Sequence, residues 1–170
     1  GVDPSGKKIV ILGAGGASRA VSFTLAREAK KCVILNRTLE KAENLVNDLS
    51  DFLGSGANLK AGNLNDANLK EELRDAEILI NATMVGMRPK EDKTPVNPDY
   101  LNQNMVVFDL VYDPLETRLL REAKNAGARI IDGLSMLVHQ GAASFEIWTG
   151  KKAPVNVMME AARGKLMEKN

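Results

Sequence analysis

The segment that most limits the folds open to this chain is residues 8–20, "KIVILGAGGASRA". Four apolar residues, Ile9 to Leu12, read as a strand buried on both faces, and they run without a spacer into a glycine cluster and then a helical stretch. A strand that turns at once into a helix needs a tight turn, then a position where the backbone lies bare to a ligand. It next needs a small residue where helix meets strand. Gly13, Gly15 and Ser18 fill those positions, and Gly16 adds further bare backbone. The first N–H groups of such a helix have no partner of their own, and the helix dipole favours an anion beside them. Gly13, Ala14, Gly15, Gly16 and Ala17 are therefore expected to cradle a pyrophosphate.

The next strand, at 33–35, ends in Asn36-Arg37-Thr38, where a dinucleotide site selective for NAD usually carries an acid that accepts from the ribose hydroxyls. A carboxylate there would face the 2′-phosphate of NADP; at about 4 Å and an effective dielectric of about 20 the repulsion is about 4 kcal/mol. Asn36 removes that repulsion. Arg37 offers a guanidinium fork to a phosphate and a plane to stack on adenine. Thr38 adds a hydroxyl, and Lys41 adds a second positive charge one turn along. The cofactor expected from these residues is NADP.

Along the rest of the chain short apolar runs at 9–12, 33–35, 78–80, 105–108 and 129–131, with a weaker one near 58–61, alternate with helical stretches. The segment 38–53 puts Leu39, Ala42, Leu45, Val46, Leu49 and Leu53 on one face, with Thr38 as its cap. A second helix over 115–126 stops at Gly127. This alternation predicts an α/β fold: a doubly wound parallel sheet of about six strands, a Rossmann-like domain with right-handed crossovers. At 170 residues the chain is about one domain. A net charge of +1 gives no reason to expect nucleic acid, no apolar run is long enough to span a membrane, and no cluster suggests a metal. The lone cysteine, Cys32, sits in an apolar run and suggests a buried thiol in a reducing, cytoplasmic setting.

Four stretches narrow the reading: the "GAGGASRA…NRTLEKA" pair, "INATMVGM" (80–87), "VFDLVYDPLETRLL" (107–120) and "IDGLSMLVHQGAASFEIWTG" (131–150). In this order and at these spacings the chain resembles the C-terminal, cofactor-binding half of the shikimate dehydrogenase family, quinate/shikimate dehydrogenases included. The resemblance implies reversible NADP-linked reduction of 3-dehydroshikimate to shikimate, in aromatic amino-acid biosynthesis. It implies that Thr83 lies near the central or nicotinamide side of the cofactor, and that Leu110 and Gly133 face the nicotinamide, Gly133 through close backbone approach. It also implies that Tyr112 and Gln140 contact the substrate, with His139 left as cleft wall or surface. Asp109 ends a strand at the edge where ligands bind, with a turn or cap role equally open. Where the family usually has Ala-Thr-Ser, this chain has Met84 in place of the serine.

The resemblance further implies that the lysine and aspartate acting on the reacting hydroxyl belong to an N-terminal substrate domain. No catalytic residue is expected in this chain, which opens with the short linker "GVDPSGKK" and then its first strand. The expectation is a single dinucleotide-binding domain, 1–170, that binds cofactor with little or no turnover by itself. Its last helix, about 154–168, would return to the substrate domain. In that helix Val155, Met158, Met159, Ala162 and Leu166 share a face, expected to be bare and prone to self-association without its partner. Three alternatives stand beside this reading: a quinate/shikimate dehydrogenase tolerant of NAD, the NADP-binding domain of another reductase such as glutamyl-tRNA reductase, and a non-catalytic NADP-binding module.

Overall fold

The structure, a computed structural model, describes residues 2–54 and 56–168. Six strands form one sheet: β1 (Lys8–Leu12), β2 (Lys31–Asn36), β3 (Leu59–Asn63), β4 (Ile78–Asn81), β5 (Val106–Asp109) and β6 (Arg129–Ile131). Their spatial order is β3-β2-β1-β4-β5-β6, and every pair is parallel. Helices α1 (Gly16–Leu25), α2 (Leu39–Leu53), α3 (Asp66–Leu73) and α4 (Arg118–Asn125) connect strands, α5 (Leu134–Thr149) and α6 (Val155–Met167) follow β6, and the β4–β5 connection holds only a 3-10 turn at Pro98–Tyr100. The order reverses between β1 and β4, where one crossover runs outward in each direction. Loops leaving the two carboxyl ends there diverge to opposite faces, and ligands bind in the opening.

Alternation along each strand divides the core. Ile9, Ile11, Cys32, Ile34, Ile78 and Ile80 face Ala26, Ala42, Leu45 and Leu49 from the region of α1 and α2. Val10, Leu12, Val33, Leu35, Leu79 and Val107 face Leu69 and Leu73 of α3 and Leu119, Leu120 and Ala123 of α4. Both faces are covered, which is why the strands are apolar at successive positions. Cys32 is fully buried, and that burial pushes its thiol up to about 12, so it stays protonated.

Several expectations are corrected in detail. Helix α2 begins at Leu39, and Thr38 sits at its N-cap, but the Thr38 side chain makes no capping hydrogen bond. Leu39, expected on the apolar face, is exposed. The helix expected over 115–126 begins only at Arg118, since Thr117 is its N-cap and accepts from the Leu120 N–H. The apolar face of α6 is not bare. Val155, Met158, Met159, Ala162 and Leu166 pack with Leu134 and Val138 of α5, the partner the sequence pattern did not reveal. The largest exposed apolar side chains of this region are Ile147 and Trp148 at the end of α5.

At the amino-terminal edge of the sheet one carboxylate joins three strands. Glu72 of α3 is almost fully buried and pairs with Lys8 of β1 at 2.9 Å, Lys31 of β2 at 3.4 Å and Lys60 of β3. Lys8 also pairs with Asp75. Burial works against the Glu72 charge, but hydrogen bonds from Lys60 and Lys8 overcome it and hold its carboxyl at about 2. Removing one member of such a cluster strands the others. Glu72→Gln is expected to cost about 2 kcal/mol at pH 7, less than a fully buried pair because Lys60 and Lys31 reach solvent. A carboxyl held down in the fold contributes stability above its unfolded value of 4.5, and loses it as pH falls through about 2. Urea unfolding of both proteins at pH 7 and pH 3 checks this: the gap must narrow at pH 3, and an equal gap at both would refute the assignment.

Candidate functional site

The residues singled out from the sequence emerge along the carboxyl edge of the sheet. Gly13 to Ala17 follow β1, Arg37 and Thr38 follow β2, and Thr83 follows β4. Leu110 and Tyr112 follow β5, and Gly133 follows β6 at the head of α5. Backbone hydrogen bonds step across this edge. The Gly13 N–H donates to the Leu35 carbonyl at 2.7 Å, Ala82 to Leu12 at 2.9 Å, and Leu110 to Asn81 at 3.0 Å. The loops therefore leave the sheet as continuations of its ladder, already held.

Gly13 has φ +103°, a conformation side chains rarely adopt, and a Cβ there would lie 2.8 Å from the Ala82 carbonyl oxygen. The β1 loop and the β4 loop touch at this point. Ser18 is fully buried and donates to the Gly13 carbonyl at 2.7 Å, tying the first turn of α1 to the loop. Gly15 and Gly16, in contrast, are exposed, with nothing within 4 Å of a Cβ position. Gly15 is the N-cap of α1, it supplies no capping side chain, and the first turn holds no acid. Bare N–H groups, the positive end of a helix dipole and open space in front of them fit a pyrophosphate.

Around β2 the fit extends to a phosphate monoester. Arg37 and Lys41 are exposed, and neither makes an ion pair among the described residues. Asn36 donates its amide to the Thr38 carbonyl at 2.9 Å, and Asn63 donates to the Arg37 carbonyl at 3.3 Å, so two neutral side chains shape the loop. The Thr38 hydroxyl, unused as a cap, stays available as a donor. A recess of ≈ 470 Å³ runs from Arg37 past Leu64 and Asn65 to Val96 and Pro98. A recess of ≈ 540 Å³ runs from Gly16 at the head of α1 along the α1–α2 interface, and its one arginine, Arg19, is already paired with Asp48.

On the other side of the switch point a buried polar chain lies beneath the loops. Asp109 is fully buried and accepts from the Asn81 amide at 2.9 Å, the Val111 N–H at 3.0 Å and the Thr117 hydroxyl at 2.7 Å. Burial pushes its carboxyl up to about 6, against the pull of those three donors. Asn81 in turn accepts from the Thr83 hydroxyl at 2.7 Å and from the Thr83 N–H at 3.1 Å. Asn81 and Thr117 were not singled out from the sequence; a polar residue at the end of an apolar strand was the signal that would have found Asn81.

The remaining residues divide. Leu110 is buried, packing with the cluster on the α1–α2 face, while Tyr112 is exposed. Gln140 and His139 are exposed on α5, and Met84 is exposed beyond Thr83. At Gly133 a Cβ would come within 2.6 Å of the Leu110 carbonyl oxygen and 2.7 Å of that of Val111. Close packing of the β5 loop against α5 thus already demands glycine there, whatever else it faces. Among the described residues no group of acids, histidines and cysteine can hold a metal, and no helix is long and apolar enough to cross a membrane.

Comparison with known proteins bears on this geometry. Residues 2–112 match the family model described as shikimate/quinate 5-dehydrogenase, and residues 133–163 match the shikimate 5′-dehydrogenase C-terminal domain. A shikimate dehydrogenase (NADP+) of Methanopyrus kandleri is 53% identical over 161 residues, which is 94% of this chain and 55% of that protein. A crystal structure of a shikimate dehydrogenase in complex with NADP+ superposes with a TM-score of 0.82 at 43% identity, covering 95% of this chain and 55% of the other. The shikimate 5-dehydrogenase of Listeria monocytogenes, in complex with shikimate and NAD, gives 0.83 at 36% identity, covering 94% and 56%. The chain spans about half the length of the relatives it matches. With its glycine turn, its strand order and the family model agreeing over most of its residues, the chain belongs to the shikimate/quinate dehydrogenase family.

Proposed function

We propose that this chain is the NADP(H)-binding portion of a cytoplasmic shikimate dehydrogenase, which reversibly reduces 3-dehydroshikimate to shikimate. The single observation that carries the cofactor choice is that Arg37 and Lys41, exposed and without an ion pair among the described residues, stand beside neutral Asn36 at the end of β2. The naming of the relatives as NADP+ enzymes supports the same reading.

Under this reading Gly13, Ala14, Gly15, Gly16 and Ala17 hold the pyrophosphate through backbone N–H groups at the head of α1. Asn36, Arg37, Thr38 and Lys41 hold the adenosine 2′-phosphate. Thr83, Leu110 and Gly133 border the nicotinamide half, where buried Leu110 helps keep water from the ring. When bound, NADPH supplies a hydride to the carbonyl carbon of the substrate, and solvent or an acid supplies the proton. Tyr112 and Gln140 bind substrate hydroxyls; both are exposed, as side chains that meet a ligand arriving from outside the domain would be. The family resemblance assigns the proton-transfer lysine and aspartate to a substrate domain outside the cofactor-binding half, so residues 1–170 by themselves are expected to hold cofactor without efficient turnover.

Two outcomes are expected. In calorimetry NADPH binds at least about tenfold tighter than NADH, a difference of about 1.4 kcal/mol, and Arg37→Ala abolishes the preference. Equal binding of the two by the unaltered chain would move it to the NAD-tolerant quinate/shikimate branch. With NADP+ and shikimate, this chain turns over at least about 10²-fold more slowly than a full-length relative, since positioned acid–base groups typically supply about 10²–10⁴-fold. A rate matching the relative would show that residues 1–170 contain the proton-transfer groups.

A further inference from the structure

The buried chain beneath the β4 and β5 loops has a fixed direction of donation. An ionised carboxylate only accepts hydrogen bonds. Asp109 therefore obliges Asn81 to turn its amide nitrogen inward, where it donates at 2.9 Å to Asp109 and at 3.2 Å to the Val85 carbonyl. The Asn81 oxygen is left facing Thr83 and accepts both the Thr83 N–H and its hydroxyl. The Thr83 oxygen also accepts from the Val85 N–H at 3.1 Å. With the Thr83 hydroxyl proton spent inward, its methyl group is what meets the glycine loop, 3.2 Å from where a Gly13 Cβ would stand. The same carboxylate takes the Val111 N–H, and so sets the turn whose Leu110 and Val111 carbonyls abut Gly133. Its second oxygen takes Thr117, the N-cap of α4.

We propose that Asp109 is a positioning residue for the nicotinamide half of the cleft, acting through Asn81 and Thr83 on the β4 lip and through Val111 on the β5 lip. The proposal rests on the reading that the cleft binds NADPH. It separates the two halves of the cofactor: the β1 and β2 loops, with Gly15, Gly16 and Arg37, are hydrogen-bonded independently of Asp109, whereas the β4 and β5 lips converge on it. An Asn at 109 can keep an oxygen toward Asn81 and Val111 and turn its NH₂ toward Thr117. Its cost then falls on the α4 cap and not on the lips.

The test measures calorimetric affinities of the chain at pH 8, where Asp109 is ionised, for NADPH and for adenosine 2′,5′-bisphosphate, which has no nicotinamide. The variants are Asp109→Ala, Asp109→Asn and Thr83→Val, the last keeping volume and methyl while removing the hydroxyl. Asp109→Ala and Thr83→Val are expected to weaken NADPH by about tenfold or more and to leave the bisphosphate within about twofold, the loss of a buried hydrogen-bond link. Asp109→Asn is expected to lower the melting temperature yet hold NADPH within about threefold. If Asp109→Ala does not fold, Thr83→Val and Asp109→Asn decide. Parallel loss of both ligands in Thr83→Val, or no loss of either, overturns the proposal, as does Asp109→Asn binding NADPH as weakly as Thr83→Val. An unaltered chain that binds neither ligand fails the cofactor reading first, and this inference falls with it.

Discussion

The rest of the structure depends on the turn at Gly13. The chain leaves the centre of a parallel sheet there, in a left-handed conformation, against a carbonyl oxygen of the neighbouring loop that leaves no room for a side chain. That contact brings β1 and β4 loops together at the point where strand order reverses. It also aims the head of α1 outward, so that its first N–H groups remain bare. Ser18, buried and donating to Gly13, keeps helix and loop in register. A third glycine would give closeness at that position without this bond.

Charge is distributed unequally between the two ends of the sheet. At the amino-terminal edge lysines from three strands are gathered on one buried carboxylate, Glu72, and their charge is consumed internally. At the carboxyl edge Arg37 and Lys41 make no ion pair among the described residues, the side chains that shape their loop are neutral amides, and buried Asp109 is satisfied by neutral donors. An anionic ligand arriving at that edge meets the positive charge of Arg37 and Lys41 and the positive end of the α1 dipole.

Much of the site was legible because its residues are consecutive in sequence. A glycine turn, and the three residues that end the next strand, carry their chemistry locally, and backbone freedom and side-chain charge are properties of the residues themselves. What was not legible involves partners far apart in sequence: Asp109 with Asn81 and Thr117, Glu72 with Lys8, Lys31 and Lys60, Gly133 with the Leu110 and Val111 carbonyls. The apolar stripe of α6 shows the limit most clearly. Helical periodicity identified Val155, Met158, Met159, Ala162 and Leu166 as one face, but not the surface that covers it, which is α5.

The sequence by itself determined the alternation of strand and helix, the parallel sheet, the bare helix terminus after β1 and the cationic end of β2, since each follows from residue spacing, backbone freedom or charge. Only the tertiary structure decided which loops touch, which polar groups are spent inward and which stay free. Thr38 and Thr83 illustrate the difference. Both are threonines just beyond a strand, yet the side chain of Thr38 makes no capping hydrogen bond while the hydroxyl of Thr83 is bound to Asn81. The reason is that hydrogen-bond partners and burial depend on distances between segments, and those distances exist only once the sheet has assembled.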